Sequence, residues 1–306
     1  MTFQRTLAQK IKVTGIGLHS GRKITMNLHP APADFGIQFK RTDLENADLL
    51  PATVENVGFT QNNTGLGKGE NVVHTVEHLL SVLYGMGVNS VLCEIDGPEV
   101  PIMDGSGASL VFLLKEAGIS SLHKYKKFLV ILDTVRVEEE DKWAQIEPCS
   151  HLMIDSTITF AHPKINTQQK VFDFNCEAYL REVSRARTFG FTHQVDYLKR
   201  CGLIKGASLD NAVVLDEYQV INPEGLRFQD EFVRHKILDT VGDVSLLGYE
   251  LAGKITTYKS GHHLHYLLCQ KLLATPSAFE IVSSTNLQDD PEIVVDTSSV
   301  FSAATH

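Results

Sequence analysis

Three groups of histidines and carboxylates in this 306-residue chain have spacings that could do chemistry. The first lies in NVVHTVEHLLSVLYGMG, residues 71–87, where His74, Glu77 and His78 read H-x-x-E-H. On a helix, residues four apart share a face. His74 and His78 could then hold one metal with Glu77 beside them as a base, an order found in zinc peptidases. The second lies in DEFVRHKILDTVGDVSLLG, residues 230–248. There His235, Asp239, Gly242 and Asp243 fall at i, i+4, i+7 and i+8. They form a polar stripe between Phe232, Val233, Ile237, Leu238, Val241 and Val244. The third is YKSGHHLHYLL, with His262, His263 and His265.

A solvent-facing stripe usually carries Lys, Glu or Gln, whereas a His one turn before an Asp can share a metal. Taken alone, the His235–Asp239 pair reads equally well as a half-exposed hydrogen bond. The third ligand that would decide it is expected to be His78. Two imidazoles and one carboxylate leave a fourth position for water, the pattern of catalytic rather than structural zinc. Glu77 could deprotonate that water while the metal lowers its pKa. By itself, Glu77 at a helix start reads as a capping-box acceptor, and His74 as a capping or surface residue. In the third group, His262 and His263 are adjacent and must point in different directions. One catalytic histidine with two incidental ones is expected there, and Gly261 would allow the backbone to approach a substrate closely.

The surrounding pattern says what positions these groups. Up to about residue 66 the chain is strand-like: KITMNLHP and GIQFKRTD alternate apolar and polar residues between turns. Residues 75–85 then read as a helix, SVLCEIDG as a strand, and ASLVFLLKEAG as a helix ended by Gly118. After SLHKYKK the pattern restarts. FLVILDTVRVEEEDKWAQIEPC reads as two strands joined by an acidic turn, followed by HLMIDSTITF and QKVFDF. A helix around CEAYLREVSRA, a strand-like NAVVLD, a long helix over about 230–248 and a final helical stretch complete the second half. Strands followed by helices, twice, predict an α+β fold of two domains of similar plan. Their expected bounds are 1–123 and 124–282, with a loosely attached tail over 283–306.

Composition narrows the function classes. The formal net charge is −9 and no Lys/Arg-rich run occurs, which argues against a nucleic-acid-binding surface. No 18 uncharged apolar residues run together, so no transmembrane helix is expected. Five cysteines without a C-x-x-C indicate neither a zinc ribbon nor a disulfide framework, and a cytoplasmic location follows. A monomer is expected.

Several longer motifs occur together and in order. They are G-I-G-L-H-S-G (15–21), V-E-H-L-L (76–80), P-I-M-D-G-S (101–106), S-R-A-R-T-F-G-F (184–191), G-L-R-F-Q-D-E-F-V-R-H-K-I-L-D (225–239), G-D (242–243) and S-G-H (260–262). With these the chain closely resembles, from its N-terminus to about residue 280, the bacterial UDP-3-O-acyl-N-acetylglucosamine deacetylases, zinc amidases of lipid A biosynthesis in Gram-negative bacteria. The resemblance implies two domains, each packing two helices against a β-sheet, with the active site between them. It assigns zinc to His78, His235 and Asp239, the base to Glu77 and the general acid to His262. It matches Thr188 to a hydroxyl near the substrate carbonyl, Lys236 to a residue meeting the nucleotide diphosphate, and Phe189 and Phe191 to aromatics of the nucleotide-sugar site. The stretch after Phe191 corresponds to an inserted unit that forms a tunnel for the acyl chain. Val195, Leu198, Ile204 and Val214 are its apolar candidates, although core packing would also account for them. No role carries over to His74.

The expected reaction is hydrolysis of the N-acetyl amide. Glu77 and the metal activate water, Thr188 and the metal stabilise the oxyanion, and cationic His262 protonates the departing nitrogen. Asp243, one turn beyond Asp239, is expected to favour the His262 imidazolium. The rivals are a zinc peptidase using His74 and His78, which leaves the His235–Asp239 stripe without a role, and a nucleotide-sugar-binding protein without catalysis.

Overall fold

The computed structural model describes residues 3–284. Its first half holds a five-stranded sheet in the order Ile11–Ile16, Lys23–Pro30, Val91–Ile95, Ile37–Arg41 and Leu50–Pro51. The alternation in KITMNLHP is genuine: Ile24, Met26 and Leu28 are buried while Lys23 is exposed. A three-stranded sheet, Val57–Phe59, Gly65–Lys68 and Asn71–Val73, leads into helix α1, Glu77–Gly85. Every residue of α1 is buried, so it is a core helix rather than an amphipathic surface one. Helix α2, Ala108–Ala117, packs on α1 and stops where Gly118 takes a left-handed φ of 73°.

The second half carries a seven-stranded sheet: Lys127–Ile131, Val135–Glu139, Lys142–Glu147, Leu152–Phe160, Asn166–Asp173, Glu250–Tyr258 and Phe279–Ser283. Helix α3, Cys176–Ala178, is a single turn that runs into a π turn over Tyr179–Val183. Helix α4, Thr192–Arg200, follows the short strand Phe189–Phe191. Helix α5, Glu231–Val244, packs on α1, on α6 (His262–Leu273), and on the strands Leu152–Phe160 and Asn166–Asp173. The fold is α+β as expected, and the α1–α5 contact joins the helices of the two halves. At that contact a Cβ on Gly242 would lie 2.1 Å from the Glu77 carbonyl oxygen, so only glycine lets the helices approach so closely.

The structure corrects several expected elements. The stretch 128–149 belongs to three strands rather than two. Lys127–Ile131 stands apart, and the acidic turn at Glu140 (φ 54°) joins only Val135–Glu139 to Lys142–Glu147. Strand Glu250–Tyr258, unread in the sequence, is the hub of the sheet and pairs with three neighbours. Its first four residues are all buried, so the two-residue alternation that marks a one-sided strand is absent over that part. Strand Ile119–Tyr125 pairs with Phe3–Leu7 of the first half. Of the expected tail, residues 285–306 lie outside the described residues.

Candidate active site

The H-x-x-E-H stretch is not one helix face. Thr75 adopts φ 58°, a left-handed conformation costly for a β-branched residue, and α1 begins only at Glu77. A buried network holds that turn. The Glu99 carboxylate accepts the Thr75 hydroxyl at 3.1 Å and the His19 and Ser20 amides at 2.8 Å each, while Thr75 N donates to Asn63 Oδ1 at 3.2 Å. The turn sends His74 away from the helix axis. Its backbone forms a β-bridge with that of Glu99, and its ring sits edge-on to Phe59, with centroids 5.1 Å apart. His78 instead meets residues far along the chain.

Those residues are on α5. His78 Nε2 lies 3.6 Å, and His235 Nε2 3.3 Å, from Asp239 Oδ1. A tetrahedral ion with ligand bonds of about 2.0–2.2 Å would separate its ligand atoms by roughly 3.3–3.6 Å, so the spacing suits one ion. Asp239 Oδ1 is buried without a hydrogen-bond partner, as an atom aimed at a cation would be, while Oδ2 accepts from Lys236 Nζ at 2.8 Å. His235 Nδ1 is 3.0 Å from the Ala186 carbonyl, which can only accept. The proton must therefore sit on Nδ1, and Nε2 presents its lone pair. Burial, reinforced by His235, pushes His78 down to about 3, and burial also lowers His235. Both rings are neutral near pH 7, the form that binds metal.

A buried ion pair fixes the backbone around this group. Arg187 donates from Nε to Glu231 Oε1 at 2.9 Å, and Glu231 also accepts the Arg187 and Arg227 amides at 3.0 and 2.6 Å. Glu231 opens α5, where a negative charge complements the helix dipole. The pair thus pins the start of α5 to the segment bearing Ala186 and Thr188. Removing one partner would strand a buried charge, at about 3–5 kcal/mol.

On the other side of the group stand Glu77 and His262, with Oε1 and Nε2 4.0 Å apart. Burial pushes Glu77 up to about 8, with Asp239 and Asp243 adding to it against the pull of His262. His262 opens α6, where burial and the positive helix end both oppose an imidazolium. Asp243 Oδ2, 2.8 Å from Nδ1, with smaller help from Glu77 and Asp239, outweighs them and raises His262 to about 9. Gly261 has ordinary extended backbone, and a Cβ there would meet nothing within 4 Å, so no steric need for glycine arises within the chain.

Two participants escaped the sequence reading. Thr64 donates its hydroxyl to Asp243 Oδ1 at 2.6 Å and its amide to Glu77 Oε2 at 3.0 Å. It lies outside every quoted motif, and nothing in its spacing points to it. His265, expected to be incidental, is 1% exposed and places Nδ1 2.7 Å from Asp243 Oδ2. Its spacing of three from His262 on a helix was the available signal. Asp243, His262 and His265 could be read as a second metal group, but both rings direct Nδ1 at one carboxylate oxygen, which makes them a hydrogen-bonded set. His263 is the incidental one: half-exposed, it meets Thr60 and Glu139.

Glu77, His78, His235, Asp239 and His262 line a cleft of about 760 Å³, within the usual range for small-molecule sites. Its walls include Thr188, Phe189 and Phe191, and also Val195, Leu198, Ile204 and Val214, all four half-buried. Lys236 lines it too, 5.6 Å from the Phe189 ring centroid. A second cavity of about 720 Å³, beside Tyr84, Leu246 and Phe279, has no comparable histidine–carboxylate group. Chemistry rather than size selects the site.

His74→Ala should retain bound metal, because His74 takes no part in the His78–His235–Asp239 group. Metal analysis of the purified variant checks this, and loss of the ion would restore the peptidase reading.

The family model described as UDP-3-O-acyl N-acetylglycosamine deacetylase matches residues 4–274. Among curated relatives, the UDP-3-O-acyl-N-acetylglucosamine deacetylase of Shewanella sediminis is 48% identical over 286 residues, covering 92% of this chain and 94% of its own. That of Shewanella woodyi is 47% identical over the same shares. The Shewanella oneidensis enzyme of the same name is 46% identical over 294 residues, 95% of this chain and 96% of its own.

Proposed function

The chain belongs to the UDP-3-O-acyl-N-acetylglucosamine deacetylase family, and on that premise we propose how its own residues carry out the reaction. It is a hydrolase of the lipid A pathway that removes the N-acetyl group of UDP-3-O-acyl-N-acetylglucosamine, giving acetate and a free amine. The observation that carries the assignment is a single cleft lined by the His78–His235–Asp239 group, Glu77 and His262 together with the apolar side chains of Phe189, Val195, Leu198, Ile204 and Val214.

His78, His235 and Asp239 hold the metal. We take the ion to be Zn2+, which suits two neutral imidazoles and one carboxylate. When bound, such an ion polarises a carbonyl oxygen and lowers the pKa of water. Glu77 takes a proton from water as that water attacks the amide carbon. The Thr188 hydroxyl donates to the carbonyl oxygen as charge develops on it. His262, cationic through Asp243, gives its Nε2 proton to the departing glucosamine nitrogen. Lys236 meets the diphosphate, and Phe189 and Phe191 flank the nucleotide sugar. Val195, Leu198, Ile204 and Val214 contact the acyl chain.

The halves 1–123 and 124–282 act as two units of similar plan with this cleft between them, and the protein works as a cytoplasmic monomer. The five cysteines, all free, suit a reducing compartment. No helix among the described residues is long and apolar enough to cross a membrane.

Because a base and an acid are both required, the pH–rate profile should be bell-shaped. Asp243→Asn should move its alkaline limb to lower pH. The carboxylate raises His262 to about 9, and without that charge the imidazolium loses its proton at lower pH. An unmoved alkaline limb would remove Asp243 from this role. The assignment as a whole is tested by incubating the zinc-loaded protein with UDP-3-O-acyl-N-acetylglucosamine. Acetate and free amine should form in equal amounts. Tight substrate binding without either product would support the non-catalytic reading.

A further inference from the structure

The Asp243 carboxylate has a second imidazole on it, and the proposed mechanism uses only one. Oδ2 receives His262 Nδ1 at 2.8 Å and His265 Nδ1 at 2.7 Å, and Oδ1 receives the Thr64 hydroxyl at 2.6 Å. An ionised carboxylate only accepts, so both rings carry a proton on Nδ1. The far nitrogen of His265 is also engaged. Nε2 lies 2.9 Å from Ser260 Oγ and 3.5 Å from Thr240 Oγ1, and the Thr240 proton goes to the Lys236 carbonyl at 2.8 Å. With a neutral His265 ring, Ser260 donates to its Nε2, His265 donates to Asp243, and Asp243 accepts from His262. This chain ties the loop before α6 to α5.

We infer that His265 is a positioning residue for proton delivery, holding Asp243 in the one orientation that aims His262 Nε2 into the cleft. A carboxylate anchored by His262 alone could swing about its terminal torsion, which is broad and soft. Donors from α6 on one side and Thr64 on the other remove that freedom. His265 lines no part of the cleft and sits one helical turn behind its catalytic neighbour, so it meets no substrate itself. Being three residues apart on α6, His262 and His265 share a face, so one carboxylate can bind both.

The inference rests on the proposal that His262 is the proton donor, and the experiment separates the two. The amide nitrogen of Asn can stand near the place of Nδ1, and that of Gln near the place of Nε2. His265→Ala should lower kcat about tenfold, the scale of one lost charge-assisted hydrogen bond, with KM and zinc content unchanged. His265→Asn, which keeps a donor for Asp243, should recover most of that loss, and His265→Gln should not. In a His262→Ala background, His265→Ala should have no further effect on kcat, because the residue acts only through His262. An equal further loss in that background, or wild-type kcat in His265→Ala, would overturn the inference. Wild-type kcat in His262→Ala alone would instead overturn the reading of His262 as the donor.

Discussion

Glu77→Ala should lower kcat by about 10²–10⁴-fold while the protein keeps its metal. The expectation follows from where Glu77 sits. It is the first residue of α1, beside His78, and its carboxylate faces His262 across 4.0 Å and takes the Thr64 amide at 3.0 Å. Nothing in that geometry gives it a place in the His78–His235–Asp239 group, so its removal should leave the ion in position. Burial holds the carboxyl up at about 8, a strained state for a folded protein but a useful one for a base. The positive charge of an ion held by His78, His235 and Asp239 would draw that value down. Metal analysis and steady-state kinetics on one preparation check the prediction, and loss of the metal would make Glu77 a ligand.

His235→Ala should have the opposite signature, with metal and turnover lost together. In the proposed ligand set the ring supplies one of three ligand atoms, and its Nδ1 anchors it to the Ala186 carbonyl at 3.0 Å. Deleting it leaves two ligands and a buried carbonyl without its donor, which costs about 1–3 kcal/mol in stability as well. Two protein ligands do not make a catalytic zinc site. Turnover should fall to background, and equilibrium dialysis against zinc should give no tight site. A variant that bound one zinc as tightly as the wild type would contradict the ligand assignment.

The parts of this site legible in the sequence were those written in local periodicity. His235, Asp239 and Asp243 recur with the helical period among apolar neighbours, and the structure puts all three on one buried side of α5. His78 could be joined to them only as a hypothesis, because α1 meets α5 through long-range packing that spacing does not encode. His74 misled because H-x-x-E-H presumes a continuous helix, and the left-handed turn at Thr75 breaks it. That turn is held by Glu99, 24 residues further on, so no window around the motif could have shown it. Thr64 acts through single hydrogen bonds to Asp243 and Glu77, which leave no periodic trace, whereas the i, i+3 spacing of His265 from His262 marks a shared helix face without marking the carboxylate that both rings meet. The hub strand Glu250–Tyr258 went unread because its first four residues are buried on both faces and, beyond them, the buried Thr257 is polar, so no apolar alternation runs along it.

The central claim is that one metal ion, held by His78, His235 and Asp239, serves Glu77 and His262 in hydrolysing the N-acetyl amide. The most direct measurement is acetate release from UDP-3-O-acyl-N-acetylglucosamine by chelated protein titrated with Zn2+. Release should start near zero and rise in proportion to added zinc up to one equivalent per chain, with the Asp239→Ala protein inactive throughout that range. Full acetate release by the metal-free protein, or restored turnover in Asp239→Ala at one equivalent, would contradict it.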